Sequence, residues 1–159
     1  GRIPVGRVAD AMVSQYDVFP ALLALLGLPP LADDSLPGRS FVPVLLGRTD
    51  DAREDVVVFD EYGPVRMIRT REWKYVHRYP NGPHELYDLV KDPDERRNLV
   101  DDKDRQPVVE DLRRRLVTWF ARYVVPERDG TRFPVSGAGQ LSRLDANTPG
   151  ECAFCPIHR

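Results

Sequence analysis

EDVVVFDEYGPVRMIRTREWKYVHRYPNGPHELYDLVKDPDERRNL, residues 54–99, is a series of short apolar-aromatic runs separated by turn formers. Val56-Val57-Val58-Phe59 is stopped by Gly63-Pro64, and the next runs are Val65 to Thr70 and Trp73 to Tyr79. Arg71-Glu72 is a break of hairpin length, and Pro80-Asn81-Gly82-Pro83 is a hard turn. A fourth run, Glu85-Leu86-Tyr87-Asp88-Leu89, follows it. In the third run Trp73, Tyr75, His77 and Tyr79 share one face while Lys74, Val76 and Arg78 share the other, the period-2 mark of a half-buried strand. The expectation is a small antiparallel sheet of four strands.

Working outward from the sheet, a helix is expected over about 105–123, with Asp104 as its cap and Pro107 in its first turn. Val108, Leu112, Leu116, Trp119, Phe120 and Tyr123 form one apolar stripe to lay across the sheet, and Arg113-Arg114-Arg115 falls on the outer side. Between sheet and helix, Asp92-Pro93-Asp94-Glu95 reads as a capped turn, with Glu95 reaching back to the Asp92 N–H and Asn98-Leu99 closing it. Towards the N-terminus a second helix is expected from an Asp17 cap, through Pro20 and Leu22-Leu23-Ala24-Leu25-Leu26, to a stop at Gly27. That helix is apolar on nearly every side after Asp17, more than the rest of the chain can bury, and this predicts a partner upstream. Residues 29–53 read as loop, with a helical turn at Phe41 to Leu46. Residues 126–159 are polar, Gly/Pro-rich and aperiodic, and read as an extended tail.

Composition narrows the function classes. The 159 residues are 42% hydrophobic and 30% charged, enough for the core of one domain. A net charge of -2 offers no electrostatic case for nucleic acid or an anionic membrane. No apolar run approaches the roughly 20 residues of a membrane span. The only two cysteines, Cys152 and Cys155, cannot supply a disulfide framework, which fits a cytoplasmic setting. A Cys-x-x-C with His158 nearby is short of the four ligands of structural zinc, so two thiols on a tail is the plainer reading.

Four pieces in this order, VSQYDVFPALLALLGLPP, LPGRSFVPVLLG, MIRTREWKYVHR and ELYDLVKDPDERRNL, resemble the C-terminal region of a type I sulfatase of the alkaline-phosphatase superfamily. The resemblance covers residues 1 to about 123. It implies an α+β architecture: residues 1–53 would be the last helix of a large α/β sulfatase domain plus a connecting loop. Residues 54–125 would be a C-terminal subdomain with a four-stranded antiparallel sheet and helix 105–123, and 126–159 a tail. It also implies hydrolysis of sulfate esters, in small molecules or saccharides, by a formylglycine made from Cys or Ser in a C/S-x-P-x-R motif, with calcium or another divalent cation held by Asp and Asn oxygens. Phosphonate or phosphate monoester hydrolysis on the same scaffold is the alternative, and a non-catalytic ligand- or partner-binding module is the competing class.

Neither the nucleophile nor the metal site is expected within these residues. Ser35-Leu36-Pro37-Gly38-Arg39 fits S-x-P-x-R formally, but Ser40-Phe41-Val42-Pro43 follows in place of a Thr-Gly, and the loop reading is preferred. Cys155-Pro156-Ile157-His158-Arg159 has its proline one place early. The fragment alone is expected to be inactive and to contribute substrate contact at most. The stretch Glu61-Tyr62-Gly63-Pro64-Val65-Arg66 is the candidate: Glu61 and Arg66 could hydrogen-bond a polar substrate and Tyr62 could stack on a ring, against the plainer reading of a turn with a surface ion pair. His77 is expected to be a packed, hydrogen-bonded histidine, His84 to be exposed, and the Trp73-Tyr75-Tyr79 stripe to be core.

Overall fold

The computed structural model describes residues 3–32, 34–49, 53–60, 65–79, 81–129 and 131. They fall into two compact units divided between Val56 and Val57. In the first, Ser14 opens a 3-10 turn, Gln15–Asp17, that runs directly into helix α1, Val18–Leu26. The cap differs from expectation. Ser14 Oγ accepts from the Tyr16 N–H at 3.4 Å, and the Ser14 N–H donates to Asp17 Oδ2 at 2.8 Å. Asp17 is thus the acidic partner of a capping box rather than the cap itself, because the chain begins to coil three residues earlier than its apolar pattern does. The helix ends at Gly27, where the Leu28 N–H donates to Leu23 O at 2.9 Å.

Asp17 has a second task. Its carboxylate is 1% exposed and accepts from the Arg39 N–H at 2.8 Å and from the Arg53 guanidinium at 2.5 Å. The Leu36-Pro37-Gly38-Arg39 loop is thereby tied to the start of α1, and Gly38 lies so close to the Tyr16 carbonyl that a Cβ there would collide with it. This S-x-P-x-R stretch is a packed loop with a glycine required by close approach. A short helix α2, Val42–Leu45, follows. The outer row of α1, Val18, Phe19, Leu22 and Leu26, is 48–72% exposed.

The second unit is built on strands β1 (Val56–Asp60), β2 (Val65–Arg69), β3 (Trp73–Arg78) and β4 (Glu85–Asp88), hydrogen-bonded in the order β1-β2-β3-β4. Their bounds lie within a residue or so of the expected runs. Ile68 pairs with Tyr75 and Tyr75 with Leu86 in antiparallel register. With Val57 these residues make one face, each at most 2% exposed, under Leu112, Leu116 and Phe120 of helix α3, Gln106–Tyr123. Fully burying a side chain of this size contributes roughly 1.5–3 kcal/mol, so the helix stripe and the sheet face stabilise one another. At the near hairpin Thr70 Oγ1 accepts from the Glu72 and Trp73 N–H groups at 3.2 and 2.9 Å.

The 88–99 stretch is a chain of caps. Asp88 Oδ1 accepts from the Val90 and Lys91 N–H groups, and Asp92 Oδ2 accepts from the Arg97 N–H. Asn98 Oδ1 accepts from the Leu86 N–H at 2.9 Å, and the Leu99 N–H donates to Leu86 O at 2.8 Å, so Asn98-Leu99 close the edge of β4. The Asp92 N–H donates to Asp88 O at 2.8 Å instead of to the Glu95 carboxylate, although the Glu95 N–H donates to Asp92 O at 3.1 Å. The Glu95 backbone takes φ 56°, and its carboxylate pairs with Lys74 at 2.5 Å. Asp102, not Asp104, caps the 3-10 turn that leads into α3, by accepting from the Asp104 N–H at 3.0 Å. The first residues after α3 are not tail: Pro126–Arg128 form another 3-10 turn, and Asp129 ion-pairs with Arg66.

Two substitutions test this packing. Leu116→Ala, at a 1% exposed position, should cost about 3 kcal/mol in urea unfolding followed by tryptophan fluorescence. Asp17→Asn leaves Arg53 buried without its counter-charge and should strip the Arg39 amide of hydrogen-exchange protection, at a cost of about 3 kcal/mol to the first unit.

Candidate functional site

At one end of the second unit the helix-covered face of the sheet changes from apolar to basic. Val65 pairs with Arg78 and Arg66 with His77, so the start of β2 and the end of β3 meet there. Period-2 alternation places Arg66 on the face of Ile68, and His77 on that of Tyr75. Arg66 is 7% exposed. Its guanidinium lies 3.7 Å from the Phe120 ring centroid and 5.1 Å from that of Tyr79. One terminal nitrogen donates to Asp129 Oδ1 at 2.8 Å and the other approaches the Tyr79 hydroxyl at 3.5 Å, while Nε has no partner among the described residues. Asp129 also accepts from the Thr131 hydroxyl and N–H, at 2.8 and 3.0 Å. Partial burial disfavours its charge, but the Thr131 and Arg66 hydrogen bonds outweigh that and hold its pKa below the usual value.

His77 lies buried beside this pair, with its Nδ1 2.8 Å from the Tyr75 hydroxyl. Burial pushes the Tyr75 phenol up to about 12. Burial first, and then the fields of His84, Arg113 and Arg66, lower His77 to about 4. The phenol keeps its proton and the imidazole stays neutral, and the two share this one hydrogen bond. The packed, hydrogen-bonded histidine expected at this position is what the fold contains. His84 departs from expectation. Its ring stacks on His77 at 4.1 Å and 16°, and its Nδ1 accepts from the Arg78 N–H at 3.3 Å. The cause is the tight turn before it: Gly82, at φ +90°, lets the chain fold back so that a Cβ there would crowd the His84 amide. Tyr79 completes the patch, edge-on to His77 at 4.5 Å.

Of the three substrate contacts expected from sequence, Arg66 is placed as described, and Glu61 and Tyr62 lie outside the described residues. So do Cys152, Cys155 and His158. Sequence reasoning missed His84 and Asp129. The Arg66–His77 pairing could have been drawn from the strand register, whereas Asp129, 63 residues from Arg66, carries no local signal. Among the described residues no group of three His, Cys, Asp or Glu side chains converges as a cation site needs.

The family described as "N-sulphoglucosamine sulphohydrolase, C-terminal" matches residues 1–121. The chain belongs to this sulfatase C-terminal family. It is 35% identical over 105 residues to arylsulfatase K of Gallus gallus, covering 57% of this chain and 19% of that one. It is 33% identical over 125 residues to a Delta 4,5-hexuronate-2-O-sulfatase of Bacteroides thetaiotaomicron, covering 73% of this chain and 26% of that one. It also superposes on the phosphonate monoester hydrolase of Agrobacterium radiobacter with a TM-score of 0.57 and 28% identity, over 75% of this chain and 27% of the other. The chain therefore spans about a fifth to a quarter of the length of these proteins.

The histidine pair makes the second unit acid-sensitive. His77 binds its proton with a pKa of 6.5 when unfolded and about 4 when folded, so between these values the unfolded chain holds more protons. The stability contributed by neutral His77 is complete above pH 6.5 and declines as the pH falls towards 4, by about 3 kcal/mol in all. Urea midpoints at pH 7 and pH 4.5 should show this loss, and His77→Gln should remove most of the difference between them.

Proposed function

We propose that this chain is the C-terminal part of a sulfatase that hydrolyses sulfate esters of saccharides or other small molecules. The observation that carries the reading is the family match over residues 1–121, which runs through both units and includes the cap sequence 88–99. The relatives named above as sulfatases are more similar in sequence than the phosphonate hydrolase, and this favours sulfur over phosphorus chemistry. Formylglycine supplies the nucleophile in such enzymes and a divalent cation stabilises the sulfate charge. We assign both to a preceding domain of the same protein, because the described donors here do not converge on a cation. The exposed row Val18, Phe19, Leu22 and Leu26 is the surface we assign to packing against that domain. Substrate contact is assigned to the basic end of the second unit, with Glu61, Tyr62 and Arg66 as its expected members.

The test is hydrolysis by the complete open reading frame that encodes this chain, expressed with a formylglycine-generating system. Release of sulfate from a sulfated disaccharide at a kcat/KM at least tenfold above that for a phosphonate monoester is the expected result. The reverse ranking would make the protein a phosphonate hydrolase, and turnover of neither would leave a binding module.

A further inference from the structure

We propose that the guanidinium of Arg66 is a seat for an oxyanion, the sulfate or carboxylate of an acidic saccharide, and that Asp129 occupies it until such a group displaces it. The hydrogen bonding of Arg66 carries this. A guanidinium presents Nε and Nη2 as a side-on fork that two oxygens of one anion can span. Asp129 Oδ1 takes Nη2 alone, at 2.8 Å, and the buried Nε has no partner among the described residues. A buried donor without an acceptor is costly, and an anion that fills both positions removes that cost. The guanidinium is already fixed for this, with Phe120 against it at 3.7 Å and Nη1 approaching the Tyr79 hydroxyl at 3.5 Å. A donor held in place loses little entropy on binding.

Asp129 half-fills the fork because its bonds fall on one oxygen. Oδ1 accepts from Arg66 and from the Thr131 hydroxyl and N–H, whereas Oδ2 accepts from no described residue. The segment that brings Asp129 is lightly held. Val124 packs against the core, but residues 125–128 are exposed. Their hydrogen bonds are local, from the Arg128 N–H to Val125 O at 2.8 Å and from the Asp129 N–H to Pro126 O at 3.5 Å. Among the described residues the Arg66 pair is the one hydrogen bond or ion pair that ties 125–131 to the sheet. The nearby Glu85 is engaged with Arg78 at 2.8 Å, and no second described carboxylate pairs with Arg66. A ligand that displaces Asp129 must therefore bring the counter-charge itself.

The seat follows from these contacts; only its assignment to a saccharide acid rests on the sulfatase reading. The full chain, isotopically labelled at arginine nitrogen, is titrated with sodium sulfate and with sodium glucuronate against sodium chloride at equal ionic strength. The Arg66 Nε–H resonance is identified by its loss in Arg66→Lys, which keeps the charge but has no fork. A saturable shift of that resonance with either anion, at least tenfold tighter in Asp129→Ala, is the expected result. Asp129→Asn, which keeps the side-chain shape and drops the charge, should tighten binding in the same direction and serves if the alanine variant does not fold. Response to sulfate alone assigns a sulfate group and response to glucuronate alone a carboxylate. A shift no larger than that with chloride, or an affinity unchanged or weakened when Asp129 is replaced, overturns the proposal. Binding is read here without turnover, so failure of the seat is distinct from failure of sulfate hydrolysis.

Discussion

Four strands of four to six residues cannot bury either of their own faces, and the second unit depends on the stripe of α3 lying across one of them. Leu112, Leu116 and Phe120 recur at the spacing of a helix, and Ile68, Tyr75 and Leu86 recur at the spacing of a sheet. The two periodicities meet on one plane. Most other features of the unit follow from holding that plane closed: the Thr70 hairpin, the caps at Asp88 and Asp92, and the Asn98-Leu99 closure of β4. The run from ELYDL to NL is specific because Asp88, Asp92 and Asn98 each satisfy backbone groups at a fixed place. A change at Asp88, Asp92 or Asn98 would leave N–H groups without acceptors.

The same plane carries the site. Towards the 79–84 turn its side chains become Arg66 and His77, and the helix above them offers Phe120. A buried guanidinium there requires a counter-charge, and the chain supplies one by returning Asp129 after α3. The histidines are kept neutral by burial and by the surrounding arginines. The result is an end rich in hydrogen-bond donors and aromatic rings that shares Tyr75 and Phe120 with the apolar core.

Much of this was legible before any coordinates. The strands, both longer helices, the Gly27 stop and the core role of Tyr75 and Leu116 follow from local periodicity and turn chemistry. The family resemblance, read from four short motifs, is the one the comparison with known families shows. What escaped was non-local. Asp17 has the composition of a cap, yet it serves as the acid of a capping box and as the anchor of Arg39 and Arg53, at 22 and 36 residues' distance. Glu95 was drawn to Lys74 on a neighbouring strand instead of its own turn. His84 follows a turn, which usually means exposure, but the left-handed Gly82 reverses the chain onto β3. Local rules state where the backbone bends, and only the packed fold states what a bent segment then touches.

The central claim is that these residues complete a formylglycine sulfatase. The most direct measurement is a peptide map, by mass spectrometry, of the polypeptide that carries this chain in its native host. The account requires a peptide preceding Gly1 that contains C/S-x-P-x-R with its Cys or Ser converted to the aldehyde. A polypeptide whose preceding sequence lacks that motif, or retains it wholly unconverted in active protein, would contradict it.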